Sequence, residues 1–141
     1  MSEAQRGYLG LRIAEHDCLV DLKTAGELIA APVSLTPVPL ARPWLLGLFS
    51  LRGQLFTLVD LACYRGWSTP ASRKSARALA FSPSLQCSVA ILVDEVHGLH
   101  DPATAADEAA RCWETLDLAA LVREPGFATA SRLMPVLAGA Q

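Results

Sequence analysis

The stretch Leu45-Leu46-Gly47-Leu48-Phe49-Ser50-Leu51-Arg52-Gly53-Gln54-Leu55-Phe56-Thr57-Leu58-Val59-Asp60 decides the fold class. In an extended chain Leu48 and Ser50 point one way while Phe49 and Leu51 point the other. Leu55, Thr57 and Val59 then oppose Phe56 and Leu58. Two period-two runs interrupted by a glycine are the mark of paired β-strands. Gly53 can take the positive φ that a tight reversal needs, so the stretch predicts a hairpin. One charge, Arg52, sits at its tip. A lone arginine on an apolar platform suits contact with another protein better than chemistry.

Outward from the hairpin, the pattern repeats in shorter pieces. Tyr8–Ile13 alternates and reads as a strand. Glu15-His16-Asp17 reads as a polar turn and Cys18–Leu22 as the returning strand. Thr24–Ala31 is ambiguous; its Ala and Leu content permits a helical turn that Pro32 would end. Val33–Val38 reads as a strand, followed by the prolines of an edge or connector. After the hairpin, Asp60 is placed to cap a helical turn over Leu61–Gly66, with Gly66 closing it. Trp67–Ser75 reads as a loop, Ala76–Phe81 as a strand and Pro83-Ser84 as a turn. Gln86–Asp94 carries the strongest buried-strand signal, with Val89, Ile91 and Val93 on one face. Glu95–Leu99 continues that strand or starts its partner. Thr104–Arg111 is a short helix or a loop, and Trp113–Leu116 a short strand. Asp117 caps a brief helix through Val122, and residues 128–141 start as a short helix up to Pro135 with a frayed end beyond it. Many short strands with turns between them predict an all-β fold with minor helix.

Composition narrows the function. With 141 residues the chain is sized for one domain, and 52% apolar against 18% charged residues leaves apolar area for contact beyond a core. No apolar run approaches the roughly 18 residues of a membrane span, so no direct membrane insertion is expected. The opening Met-Ser-Glu-Ala-Gln-Arg lacks a basic segment followed by an apolar one, so no secretory signal is expected. The net charge of −2 offers no basic field for nucleic acid. The densest basic patch, Arg73, Lys74 and Arg77, reads as a solvated loop.

Catalytic and metal patterns are weak. The four cysteines, Cys18, Cys63, Cys87 and Cys112, are far apart and read as reduced thiols. Cys18 and Cys87 lie in apolar runs and read as core; Cys63 has no visible activating neighbour. His97 and His100, next to Asp101, sit three apart, a spacing that faces opposite sides of a strand, so they read as loop histidines. No nucleophile elbow and no phosphate-cradling glycine loop is present. Neither cofactor nor metal is expected. Trp44, after Arg42-Pro43 at the mouth of the hairpin, is an anchor or a core aromatic.

Several of these residues together resemble the CheW-like coupling-protein family of bacterial chemosensory pathways. The resemblance rests on Pro39, Pro43 and Gly47, then Leu51-Arg52-Gly53, then Asp60-Leu61. It extends to Ile91-Leu92-Val93-Asp94-Glu95-Val96 and to Leu116-Asp117-Leu118-Ala119-Ala120-Leu121. Val38–Gly47 is most similar to members serving type IV pilus twitching motility. Ser50 stands where the family usually has Asn, and Ala62 where many members have Arg. The resemblance implies two packed SH3-like five-stranded β-barrels intertwined in a single domain over residues 1–141. It implies a non-enzymatic adaptor that bridges methyl-accepting chemoreceptors to a CheA-type histidine kinase, in the cytoplasm beside receptor arrays. It also implies that Arg52, Gly53, Gly47 and Leu51 serve partner binding, the two glycines by holding turn geometry. Val93 and Val96 would line or support a contact surface, with Asp60 and Gly66 structural.

Overall fold

The computed structural model describes residues 7–31, 34–39, 42–67, 77–100 and 113–127. Their elements run β1 (Tyr8–Ile13), β2 (His16–Asp21), β3 (Ala25–Ala30), β4 (Leu45–Leu51), β5 (Gln54–Val59) and α1 (Leu61–Arg65). Then follow β6 (Arg77–Phe81), a 3-10 turn at Pro83–Leu85, β7 (Val89–Val93), β8 (Glu95–His100), β9 (Glu114–Thr115) and α2 (Leu118–Leu121). The first sheet has the order β8-β1-β2-β9 and the second β3-β6-β7-β5-β4. Mostly β with short helices, this is the predicted fold class.

The second sheet closes on itself through one bridge. Thr36, downstream of edge strand β3, pairs with Leu48 of the opposite edge strand β4. Each residue's N–H donates to the other's carbonyl at 2.8 Å. Phe49, Phe56, Leu58, Ala78, Ala80, Ala90 and Leu92 fill the enclosed side. Alanines on β6 and β7 make room for the two phenylalanines of β4 and β5, whose rings lie 5.9 Å apart.

Strand β7 explains how the two sheets share a core. Its five residues are all buried. Ala90 and Leu92 face the closed second sheet, while Val89, Ile91 and Val93 join Leu9, Leu11, Ile13, Cys18 and Val20 of the first. A strand covered on both faces reads as a continuous apolar run, as Val89–Val93 does. The helices complete this larger cluster through Leu61, Leu118 and Leu121, with Phe127 beside them. Side chains of Asp60 and Asp117 accept from the N–H groups of Cys63 and Ala120, capping α1 and α2.

Five local expectations are corrected. Thr24–Ala31 is no helical turn: Ala25–Ala30 pairs with β6 across a bulge. A Cβ on Gly26 would lie 2.6 Å from the Ala80 carbonyl oxygen, so cross-strand pairing overrides helix propensity there. His16 and Asp17 open β2 instead of forming a turn; Ala14, at φ 56°, makes the reversal with Glu15. Within Val33–Val38, residues 34–38 carry one isolated bridge and no continuous strand. The strand expected over Gln86–Asp94 begins at Val89. At Asp94 the chain leaves the second sheet; β8 pairs with β1 instead of β7. Most of Trp67–Ser75, all of Thr104–Arg111 and residues 128–141 lie outside the described residues, as do Arg73, Lys74 and Cys112.

Candidate functional site at the hairpin tip

The β4–β5 register ends at Ser50 with Leu55 and Leu51 with Gln54, leaving Arg52 and Gly53 as a two-residue turn. Both are left-handed, with φ 52° and 80°. That matches the right-handed twist of the flanking strands, as in type I′ hairpins. The sequence signalled this for Gly53 alone. Arg52 adopts the same conformation against a steric cost of roughly 1–2 kcal/mol, so the turn is held by the hairpin around it.

The arginine side chain is 76% exposed, yet it is not solitary. Its Nη2 donates to Glu27 Oε2 at 2.7 Å, across from β3. Between them opens a cleft of about 250 Å3 lined by Gly26, Glu27, Leu51, Arg52, Gln54, Phe56, Ala80, Phe81 and Pro83. A neighbouring depression of about 240 Å3 shares Gln54, Phe56, Phe81 and Pro83 and runs on to Cys87 and Ser88. Small-molecule sites usually span about 300–1,000 Å3 and enclose the ligand. Each of these hollows is smaller. Leu55, 46% exposed on the hairpin's other face, adds apolar contact area.

Residues 7–124 match the family model described as the CheW-like domain. The chain belongs to that family. Its members are non-catalytic scaffolds of chemotaxis signalling. No curated protein matches the chain in sequence. Among solved structures, it resembles the crystal structure of scaffolding protein TtCheW from Thermoanaerobacter tengcongensis, with a TM-score of 0.58 and 22% identity. That alignment covers 70% of this chain and 68% of the other, and at this identity it establishes the shared fold.

Of the expected site residues, the CheW-like fold brings Arg52, Gly53 and Leu51 together at the tip. The others lie elsewhere. Gly47 is not a turn glycine: it sits in a β4 bulge at φ 150°, pressed against Leu35 and Thr36. Val93 is fully buried between the sheets, so it supports the fold and lines no contact surface. Val96, half-buried on β8, packs against the same cluster. Asp60 is 1% exposed, and its Oδ1 accepts from Cys63 N at 3.2 Å. Gly66, at φ 80°, donates its N–H to Ala62 and Cys63 carbonyls at the end of α1. Ala62, where many family members carry Arg, is wholly buried. Sequence reading missed Glu27, because its strand was ambiguous and no alternation marks Ala25–Ala30.

The remaining reactive groups are engaged structurally. Burial pushes the Cys18 thiol up to about 12 and the Cys87 thiol up to about 11, leaving neither as a thiolate nucleophile at neutral pH. His97 lies within β8, its Nε2 2.9 Å from Asp17 Oδ1 and its ring against Trp113. Among the described residues no group of three or more His, Cys, Asp or Glu could hold a metal. No helix among them is long and apolar enough to cross a membrane. Trp44 packs edge-on to Tyr64 and stacks near Phe127, a partly buried aromatic against the main core.

Proposed function

We propose that this CheW-like chain is a non-enzymatic adaptor coupling methyl-accepting chemoreceptors to a CheA-type histidine kinase. It works as one domain in the cytoplasm, beside membrane-bound receptor arrays. It pairs with the kinase's own CheW-like regulatory domain. The observation that carries this reading is the hairpin tip. A guanidinium on a conformationally fixed turn stands beside an open, largely apolar cleft. Such a surface suits contacts that are individually modest. Repetition across an array converts modest affinities into avidity. Similarity over Val38–Gly47 favours a twitching-motility pathway as the setting.

The test is isothermal calorimetry of Arg52→Glu with the purified kinase regulatory domain and with a receptor signalling tip. We expect an intact fold and binding weakened about tenfold or more, the scale of a lost interface anchor. Normal binding to both partners refutes the hairpin-tip assignment. A second reading, a CheW-like scaffold of another signalling system, is favoured by Ser50, which is exposed beside the tip where the family usually has Asn. Co-purification of a CheA-type kinase separates the two.

A further inference from the structure

We propose that β8 is the interface of a reversible two-fold homodimer, its outer edge pairing antiparallel with β8 of a second copy. This strand ends the first sheet, and among the described residues no strand pairs with its outer side. An edge strand presents a row of N–H and C=O groups that another chain can take up. Leu99 of this edge is 73% exposed, against 46% for Leu55 near the hairpin tip.

The register shows which partner fits. Along β1, Glu95 faces Arg12, Val96 faces Leu11, Gly98 faces Gly10, Leu99 faces Leu9 and His100 faces Tyr8. His97 is the extra residue where the register shifts, and its ring reaches Asp17 of β2. Setting it aside leaves five ladder positions with Gly98 in the middle. Val96 and Leu99 therefore share one face, that of the buried Leu9 and Leu11. In a regular strand residues three apart face opposite sides.

Two antiparallel strands related by a two-fold axis perpendicular to the sheet keep their facing. A residue at the axis must then oppose its own copy, and Gly98 opposite Gly98 meets that condition. The pairing sets Val96 of each copy opposite Leu99 of the other, on the same face. It sets Glu95 opposite His100, so like charges do not meet face to face at either end. With no side chain at the axis, the two backbones can close there. A bulge ordinarily blunts an edge against pairing. This one brings the apolar side chains of β8 onto one face and makes the edge complementary to itself. A foreign strand would need the same apolar spacing in reverse order, which a second copy has by construction.

Size sets the strength. Six strand residues span about 20 Å, and at a sheet thickness of about 10 Å the edge covers about 200 Å2 per copy. A standard interface covers roughly 800 Å2 per partner. The dimer is accordingly weak, with a dissociation constant on the order of 100 µM. It is also closed, because an isologous contact uses the same edge in both copies. The hairpin tip belongs to the second sheet, so this association does not rest on the reading of that tip.

Sedimentation velocity of the full chain, from about 10 µM to about 1 mM, tests the proposal. We expect monomer at the low end and a dimer share that rises with concentration. Leu99→Asp changes an exposed side chain and sets a carboxylate against Val96 of the other copy. It should weaken association roughly tenfold or more. Leu55→Asp, at the other exposed leucine, should leave association unchanged. Amide exchange within β8 should slow with concentration in the parent and not in Leu99→Asp. A chain that stays monomeric throughout overturns the proposal, as does growth beyond the dimer. So does a dimer that survives Leu99→Asp or is lost in Leu55→Asp.

Discussion

Replacing Gly47 with alanine should be strongly destabilising, and the cost can be worked from its surroundings. The glycine sits at φ 150°, outside the range an L side chain readily takes. Holding alanine there costs about 1–3 kcal/mol. Its Cβ would also fall 2.9 Å from the Thr36 carbonyl oxygen and 3.0 Å from Leu35 Cβ. That oxygen accepts the Leu48 N–H, so relieving the overlap strains the bridge that joins the two edges of the second sheet. Two bridge hydrogen bonds at about 1 kcal/mol each bring the total to roughly 3–5 kcal/mol. The control is Gly53→Ala at the hairpin tip. Its φ of 80° carries a similar backbone penalty, but nothing lies within 4 Å of the added methyl. It should lose only about 1–2 kcal/mol. Urea unfolding followed by circular dichroism measures both. With a slope of about 2 kcal/mol/M, Gly47→Ala should lower the midpoint by roughly 1.5–2.5 M. Equal losses in the two variants would mean that the Thr36 contact contributes nothing, and closure through that bridge would be refuted.

Three further outcomes follow from the core and its polar contacts. Ile91→Ala empties the fully buried middle of the shared strand and should cost about 2–5 kcal/mol by the same urea measurement. Thr57→Val should be neutral or stabilising by about 1 kcal/mol, because the buried Thr57 hydroxyl has no hydrogen-bond partner among the described residues. Arg65 and then Tyr64, by hydrogen bonding, hold the Glu124 carboxyl below its ordinary range against the opposing effect of burial. Its folded pKa lies below the unfolded one, so its stabilisation is present at neutral pH and is lost as pH falls through the folded value. Comparing Glu124→Gln with the parent should show a difference under ~1 kcal/mol at pH 7, given the exposure of the pair, that vanishes in strong acid.

Features of the CheW-like fold set by neighbours in sequence were legible; those set by distant partners were not. The β4–β5 hairpin was readable because alternation and Arg52-Gly53 are local signals. So were the caps at Asp60, Gly66 and Asp117, each acting within a turn of its own helix. Strand β3 was obscured because Ala25–Ala30 permits either state until β6 lies beside it. That ambiguity hid Glu27, 25 positions from Arg52, and made a paired arginine read as a lone one. Gly47 was given a turn role by the family resemblance; its place in a bulge against Thr36 leaves no mark in its own neighbourhood. Val93 was assigned to lining or supporting a contact surface by the family resemblance, while its own strand pattern already read as buried, and the structure covers it on both sides of β7.

The burial of Val93 also constrains how an adaptor of this shape engages its partners. Strand β7 has no face left for a partner, since one side fills the closed second sheet and the other meets the first. Contacts must therefore come from turns and edges around this two-sided core. The exposed apolar side chains Leu55 and Leu99 are found on β5 beside the tip and on edge strand β8. A tip projecting from a doubly packed core loses little conformational freedom on docking, so a small contact area can still yield useful affinity. Cutting Ile91 back to alanine should then weaken partner binding even though Ile91 touches no partner, through loss of that rigidity. The loss of affinity measured by calorimetry should be smaller for Ile91→Ala than for Arg52→Glu, because only Arg52 stands at the proposed contact.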